Sequence, residues 1–264
     1  MSDYTIERGL GVRSRMDLLA AVFGPSTVAL LDEVGVASGA RCLDLGCGGG
    51  HVALELGRRV GASGSVIGID LDADLLEVAR AGAVAQGWTN VVFQVAAVED
   101  VTEHDLDFAF ARMLLMHLRD PAGAVASMVG MVRSGGVVAV EDINFAGSFT
   151  YPPCPAYDRR VAWYQEAVRR RGGDADLGPR LPGLLAAAGL VDVGVRVVQP
   201  AYLTGPNKHL QELSMAKQKT AVVESGVVSA EEYDAAHAEL VAFTVDPTTL
   251  VAAPRMVQAW GRRP

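Results

Sequence analysis

The stretch Cys42-Leu-Asp-Leu-Gly-Cys-Gly-Gly-Gly50, followed by Asp70, decides the fold. An apolar run ends in Asp44, and glycines follow at 46, 48 and 50. A second apolar run, Ser65-Val-Ile-Gly-Ile, ends in Asp70. This order predicts a strand, a glycine turn, a helix, a strand and an acid at the second strand's tip, which is a nucleotide-type βαβ unit. Glycine lets the backbone bend sharply and come close to a ligand. An acid at that tip can accept hydrogen bonds from both hydroxyls of a ribose.

The dinucleotide pattern G-x-G-x-x-G would need its third glycine at position 51, which is His51. The spacing is G-x-G-x-G instead, and Asp44 lies two residues before the first glycine. A carboxylate there would repel the pyrophosphate that such turns hold. It suits a ligand carrying an ammonium group and a sulfonium. Asp44-x-Gly46-x-Gly48-x-Gly50 resembles motif I of the class I S-adenosylmethionine-dependent methyltransferases, and Val66-Ile-Gly-Ile-Asp70 resembles their motif II. Arg133-Ser-Gly-Gly136 resembles the turn before their fifth strand. Ala109-Phe-Ala-Arg-Met-Leu-Leu-Met-His117, with Arg119-Asp-Pro121, resembles the strand-four region of small-molecule members of the quinone-methyltransferase-like group. The resemblance covers most of residues 4–145 and, more loosely, the closing Met256-Val-Gln-Ala-Trp-Gly-Arg-Arg-Pro264.

The resemblance implies a doubly wound, mostly parallel seven-stranded α/β sheet, Rossmann-like; the helices expected between its last two strands read as a lid or a partner surface. It implies S-adenosylmethionine as cofactor, with contacts from Tyr4, Asp44, Gly46, Cys47, Gly48, Asp70, Leu71, Ala97, Val98 and Arg112. One position departs from the family. The acid that often meets the adenine amino group falls at Ala97, followed by Val98, so Glu99 or Asp100 would serve only from a displaced loop. No Asn-Pro-Pro-Tyr or Asp-Pro-Pro-Tyr follows strand four, which argues against methylation of nucleic-acid amines.

The 264 residues, half of them hydrophobic, suffice for one large α/β domain. The expected organisation is N-terminal helices over 1–36, a cofactor-binding core over 37–145, and lid or substrate insertions at 146–180 and 204–250. The net charge of −8 argues against a nucleic-acid groove. The Arg169-Arg170-Arg171 run reads as a helix terminus that complements the helix dipole. No apolar stretch reaches the ~18–20 residues of a membrane span, and Met1-Ser-Asp-Tyr-Thr-Ile-Glu lacks a secretory signal's basic and apolar regions. A cytoplasmic monomer or homodimer is expected, without membrane or nucleic-acid partners. Cys42, Cys47 and Cys154 have neither metal spacing nor an even count, so reduced thiols and no metal are expected.

Apolar periodicity and cap residues place the elements. Two helices are expected over 13–34, separated at Pro25-Ser26. Strands follow at 40–45, 65–70, 91–95, 106–111 and 137–143. Helices are expected over 50–60, after Asp72 or Asp74, and from Asp120-Pro121, where Asp caps and Pro opens the first turn. Beyond Tyr151-Pro-Pro-Cys-Pro155, helices are expected at 156–171, 179–188, 207–224 and 229–245. The last carries the capping box Ser229-x-x-Glu232. Strands six and seven fall at 191–198 and 256–261. Parallel crossovers put ligands at the strands' C-terminal ends.

Methyl transfer is an in-line displacement, so positioning and exclusion of water can carry much of it. A general base is required only if the acceptor keeps its proton. His117, just past strand four, is the base candidate, with packing or loop orientation as its bland alternative. Asp142, expected at the end of strand five, is a second catalytic candidate or a loop anchor. Arg112 is open to three roles: orienting substrate, pairing with Asp142, or holding the cofactor carboxylate. Tyr151, Tyr157 and Trp163, with Tyr164 nearby, are substrate-binding candidates able to sandwich a planar acceptor, or else lid-helix core. The acceptor pocket is expected between the strand tips and segments 145–165 and 205–245. The Ala, Val, Gly and Arg richness suits a high-GC bacterium and a specialised metabolite as small-molecule acceptor. Two other functions compete: a cofactor-binding enzyme that uses the sulfonium without transferring methyl, such as a cyclase or rearrangement catalyst, and an NAD-dependent oxidoreductase, which Asp44 and the glycine spacing disfavour.

Overall fold

The computed structural model describes residues 10–264, with side chains from Arg15 onward. It divides into two compact units. The sheet unit holds Pro25–Asp142, Leu177–Val197 and Val257–Pro264; the helical unit holds the described residues up to Gly24, Ile143–Asp176 and Val198–Met256. No helix among the described residues is long and apolar enough to cross a membrane.

Helix α1 spans Leu10–Val34 with Pro25 inside it, where the sequence predicts two helices. Val22, Phe23, Thr27, Leu30 and Leu31 are buried on both sides of the proline. Burying a large apolar side chain stabilises by roughly 1.5–3 kcal/mol. Several such side chains offset the ~3 kcal/mol of an interior proline.

Then come β1 (Arg41–Leu45), α2 (His51–Val60), β2 (Ser65–Asp70), α3 (Ala73–Ala85), β3 (Val91–Val95), β4 (Leu106–Arg112), α4 (Pro121–Met131) and β5 (Val132–Asn144). The apolar runs set these strands within one residue of expectation, except β5. That strand begins at Val132, directly after α4, and its pairing with β4 shifts register between Leu106 and Phe108. Asp72 caps α3 by accepting from the Asp74 and Leu75 amides, and Asp120 caps α4 by accepting from the Gly123 amide.

The chain continues through β6 (Thr150–Tyr151), α5 (Pro155–Arg170), α6 (Leu181–Ala187), β7 (Val191–Val198), β8 (Ala201–Tyr202), α7 (Leu210–Glu224), α8 (Ala230–Val245), β9 (Leu250–Ala252) and β10 (Arg255–Arg262). Seven strands form the main sheet in the order β3-β2-β1-β4-β5-β10-β7. The first five pair in parallel. Strand β10 runs against β5: Gly135 bonds with Arg263 near one end, and Glu141 with Gln258 further along. The doubly wound, mostly parallel seven-stranded α/β fold is therefore present. Its core joins Cys42, Leu56, Val66, Leu76, Phe93, Phe108 and Phe110.

The helical unit has its own core of Cys154, Tyr157, Met215, Val222, Tyr233, Leu240 and Val251. Ser229 caps α8 by accepting from the Glu232 amide at 3.2 Å. A second sheet, β6-β9-β8, is absent from the sequence expectations, because strands of two or three residues leave no readable period.

Gly68, in the middle of β2, shows how tightly the sheet unit is built. A Cβ there would meet the Phe93 ring at 2.7 Å and Cys47 Sγ at 3.0 Å. Gly68→Ala should destabilise by about 1–3 kcal/mol through overpacking. The helical, exposed Gly183 has nothing within 4 Å of its Cβ position, so Gly183→Ala should stabilise by about 0.5–1 kcal/mol. Urea midpoints of the two variants check this, and equal shifts would contradict it.

Candidate functional site

The site grows from the end of β1. Arg41–Leu45 is buried from its second residue on, so Asp44 enters the interior with the apolar residues around it. It pairs in register with Gly68 of β2 and Phe110 of β4. The carboxylate is 2% exposed, and its Oδ2 has no hydrogen-bond partner among the described residues. Burial pushes its pKa up to about 7. The Arg112 guanidinium and a bond from the Ala53 amide act against burial, while the carboxylates of Asp70 and Glu141 add to it. A buried carboxylate without a full set of donors is costly. A cationic ligand group would relieve that cost.

The turn after β1 depends on left-handed backbone at Gly46 (φ 68°), Gly48 (φ 51°) and Gly50 (φ 80°). At Gly50 a Cβ would also stand 2.7 Å from that of Ala79. Cys47 N donates to the Ile69 carbonyl at 2.9 Å, tying the turn to β2. Asp70, the last residue of β2, accepts from Gly48 N at 2.8 Å and from Asp72 N at 2.9 Å. These use one lone pair on each oxygen, and a carboxylate has about four acceptor positions. The remaining two can serve a vicinal diol. Cys47 is buried, and burial raises its thiol pKa, so it stays a small neutral filler of the turn. Leu71 is 53% exposed. Ala97 and Val98 are half-buried where a short 3-10 turn, Val98–Asp100, follows β3.

Arg112 ends β4. Its Nη1 donates to Thr27 Oγ1 at 3.1 Å, and Thr27 donates to Glu141 Oε2 at 2.7 Å. Gln258 Nε2 donates to Glu141 Oε1. Glu141 is 1% exposed, and burial raises its pKa, with Arg112, Thr27 and Gln258 opposing. Arg112 is marked in the sequence, but its partners Thr27, Glu141 and Gln258, on α1, β5 and β10, look there like ordinary core positions.

Asp142 corrects an expectation. It is not the tip of β5, which runs on to Asn144. It is fully buried, and its Oδ2 accepts from Met116 N at 2.8 Å. It therefore anchors the 3-10 turn Leu115–His117 rather than presenting a carboxylate to an acceptor. His117, half-buried in that turn, has its backbone N bonded to the Leu114 carbonyl at 3.0 Å. Tyr4 lies outside the described residues.

The aromatic candidates all belong to the helical unit. Tyr157 is another correction: it is fully buried in that unit's core and its hydroxyl donates to the Ala252 carbonyl at 2.7 Å, so it is a packing residue. Tyr151 is 70% exposed. Trp163 stacks on Tyr233 at 5.8 Å, and Tyr164 packs on Phe145 at 4.9 Å. No group of three or more His, Cys, Asp or Glu side chains among the described residues is placed to hold a metal ion. A cleft of about 330 Å³, bordered by Val36, Ala40, Asp107 and Arg133, lies at the amino ends of β1 and β4, away from the glycine turn.

The methyltransferase-domain family matches residues 37–168. The ubiquinone biosynthesis O-methyltransferase of Neisseria meningitidis serogroup C is 35% identical over 109 residues, which is 40% of this chain and 45% of that protein. Aklanonic acid methyltransferase DauC of a Streptomyces species is 31% identical over 134 residues, 50% of this chain and 61% of that protein. These matches span about half the length of those relatives. The Bacillus subtilis YcgJ protein superposes with a TM-score of 0.58 at 18% identity, covering 90% of this chain and 99% of that one. Phosphoethanolamine N-methyltransferase 2 of Haemonchus contortus, solved with S-adenosyl-L-methionine, gives 0.63 at 16% identity over 99% of this chain and 59% of that one. At these identities the two structures establish the shared fold.

Asp44 has a measurable signature. Its folded-state pKa is raised from 3.8 to about 7, so its contribution to stability is complete below the unfolded value and is lost as pH rises through the folded one. Asp44→Asn should remove that loss. The stability gap between variant and parent should widen by up to a few kcal/mol between about pH 4 and pH 7.5. Urea unfolding across that range reads it, and a gap that stays constant with pH would contradict the assignment.

Proposed function

This chain belongs to the methyltransferase-domain family, the class I group that its glycine motif resembles, and we propose that it transfers the methyl group of S-adenosylmethionine to an oxygen of a small-molecule acceptor. One observation carries the reading: the orphaned, buried Oδ2 of Asp44 beside a glycine turn whose amide is held by Asp70. A phosphate-bearing cofactor would meet repulsion there, whereas an α-ammonium group supplies the missing partner. The likeness to the ubiquinone biosynthesis O-methyltransferase favours oxygen, the likeness to aklanonic acid methyltransferase favours a small acceptor, and specialised metabolism is the setting we propose for it. The net charge of −8 favours an acceptor other than nucleic acid.

The bound cofactor supplies an activated methyl group on a sulfonium. The protein's residues do the holding. Asp44 takes the ammonium end. Asp70 takes the ribose diol with its free lone pairs. Leu71, Ala97 and Val98 are the apolar residues we assign to the base, in place of an acid after β3. Arg112, bonded to Thr27, opposes the negative charge of Asp44, to which Glu141 adds, and is the group we assign to the cofactor carboxylate. His117 is the group we assign to remove a hydroxyl proton from the acceptor, and Asp142 is its positioning residue, acting through the Met116 amide. Tyr151 and Trp163 are the aromatic surfaces we assign to the acceptor.

The experiment is calorimetric titration with S-adenosylhomocysteine, followed by turnover with a panel of phenolic acceptors. Asp70→Ala should weaken binding by about 1.5–3 kcal/mol, the value of hydrogen bonds to a charged group, which is about one to two decades in Kd. Unchanged affinity in a folded Asp70→Ala variant would refute the ribose assignment. His117→Ala should lower turnover about 10²-fold or more with cofactor affinity kept. A change of only a few-fold would make His117 structural. Binding of S-adenosylmethionine with no release of S-adenosylhomocysteine on any acceptor would favour a non-methylating enzyme.

A further inference from the structure

Arg160, in α5 of the helical unit, has no part in the function above. It is 2% exposed. Its Nε and Nη1 have no hydrogen-bond partner among the described residues, and Nη2 reaches only Gln218 Oε1, at 3.4 Å. The groups that act on it electrostatically are the phenols of Tyr157, Tyr233 and Tyr164; no carboxylate is among them. The Phe145 ring lies 5.8 Å from Cζ. Tyr164 packs on Phe145, and Trp163 stacks on Tyr233.

An arginine cannot shed its charge by deprotonation. A buried, unpaired charge costs several kcal/mol, and a cation–π contact returns only about 0.5–2. A leucine or methionine would fill the same space without that cost. The guanidinium is thus a cation whose counter-ion the described chain does not supply. The group that best matches its flat array of donors is a carboxylate. Of the rings named, Trp163 and Tyr164 are only half-buried, and these two suit a flat apolar body. A free phosphate, tetrahedral and more highly charged, fits neither feature.

We propose that Arg160 anchors a subsite for the carboxylate of an aromatic acid. The binding stands apart from the methyltransferase reading. At 2% exposure the guanidinium is reached only when neighbouring side chains move, so rings and carboxylate must enter together.

The test is calorimetric titration of the full chain with 2-naphthoate, its neutral isostere 2-naphthamide, and inorganic phosphate. Naphthoate should bind about tenfold or more tightly than naphthamide, as a charged hydrogen-bonded pair requires, and phosphate should not compete. Arg160→Met should lose the preference for naphthoate, keep its affinity for S-adenosylhomocysteine, and unfold at an equal or higher urea concentration. If that variant fails to fold, Arg160→Lys, which keeps the charge and loses the planar array, should bind naphthoate more weakly than the parent. Equal binding of naphthoate and naphthamide by the parent protein, displacement of naphthoate by phosphate, or an undiminished preference in the folded variants would overturn the proposal. Naphthoate binding without S-adenosylhomocysteine binding would overturn the methyltransferase reading and leave the subsite standing. The reverse result would remove the subsite alone.

Discussion

A buried carboxylate with one oxygen left unpartnered among the described residues is the constraint around which the sheet unit is arranged. Asp44 is carried inside by β1, which pairs with β2 and β4 and is buried from its second residue on. Once it is there, its surroundings have to make its charge tolerable without cancelling it. Arg112 supplies positive charge from the end of β4, yet its own hydrogen bond goes to Thr27. Glu141 is close enough to raise Asp44 and is itself held by Thr27 and Gln258. The glycine turn follows at once, because only left-handed backbone at Gly46 and Gly48 lets the chain reverse there. Asp70 then fixes the turn through the Gly48 amide while keeping acceptor capacity.

Two buried ionisable groups of opposite sign, one in each unit, each with unpartnered atoms among the described residues, follow the same logic. Asp44 and Arg160 both sit where an apolar side chain would be less costly. Neither is explained by packing. The ligand groups proposed above, an ammonium for one and a carboxylate for the other, would each supply the opposite charge.

Much of the sheet unit was legible in the sequence, because buried parallel strands read as apolar runs and their tips as the acids that end them. Asp44 and Asp70 stand out for that reason. The caps Asp72, Asp120 and Ser229 were legible because capping is local chemistry. What escaped is non-local. Thr27, Glu141 and Gln258 become a network only when α1, β5 and β10 meet. Asp142 lies two residues inside β5, which runs one residue past its expected end, and its burial and its bond to the Met116 amide make it an anchor rather than a strand tip. Pro25 reads as a break, yet burial on both sides keeps α1 continuous. Arg160 sits in a helix rich in arginines, several of them exposed and ion-paired, such as Arg159 with Glu239 and Arg169 with Glu166. Nothing in its spacing marks it as the buried one.

The measurement that tests the central claim most directly is the proton count on cofactor binding. With a pKa of about 7, Asp44 is largely protonated in the free protein slightly below neutrality. An ammonium group placed against it holds it ionised, so binding must expel that proton. S-adenosylhomocysteine is titrated at about pH 6.5 in two buffers of different ionisation enthalpy, and the difference in heat gives the protons released. The account predicts release of roughly half a proton or more per ligand, fading by about pH 8 and absent in Asp44→Asn. No release from the parent protein, or the same release from Asp44→Asn, would contradict it.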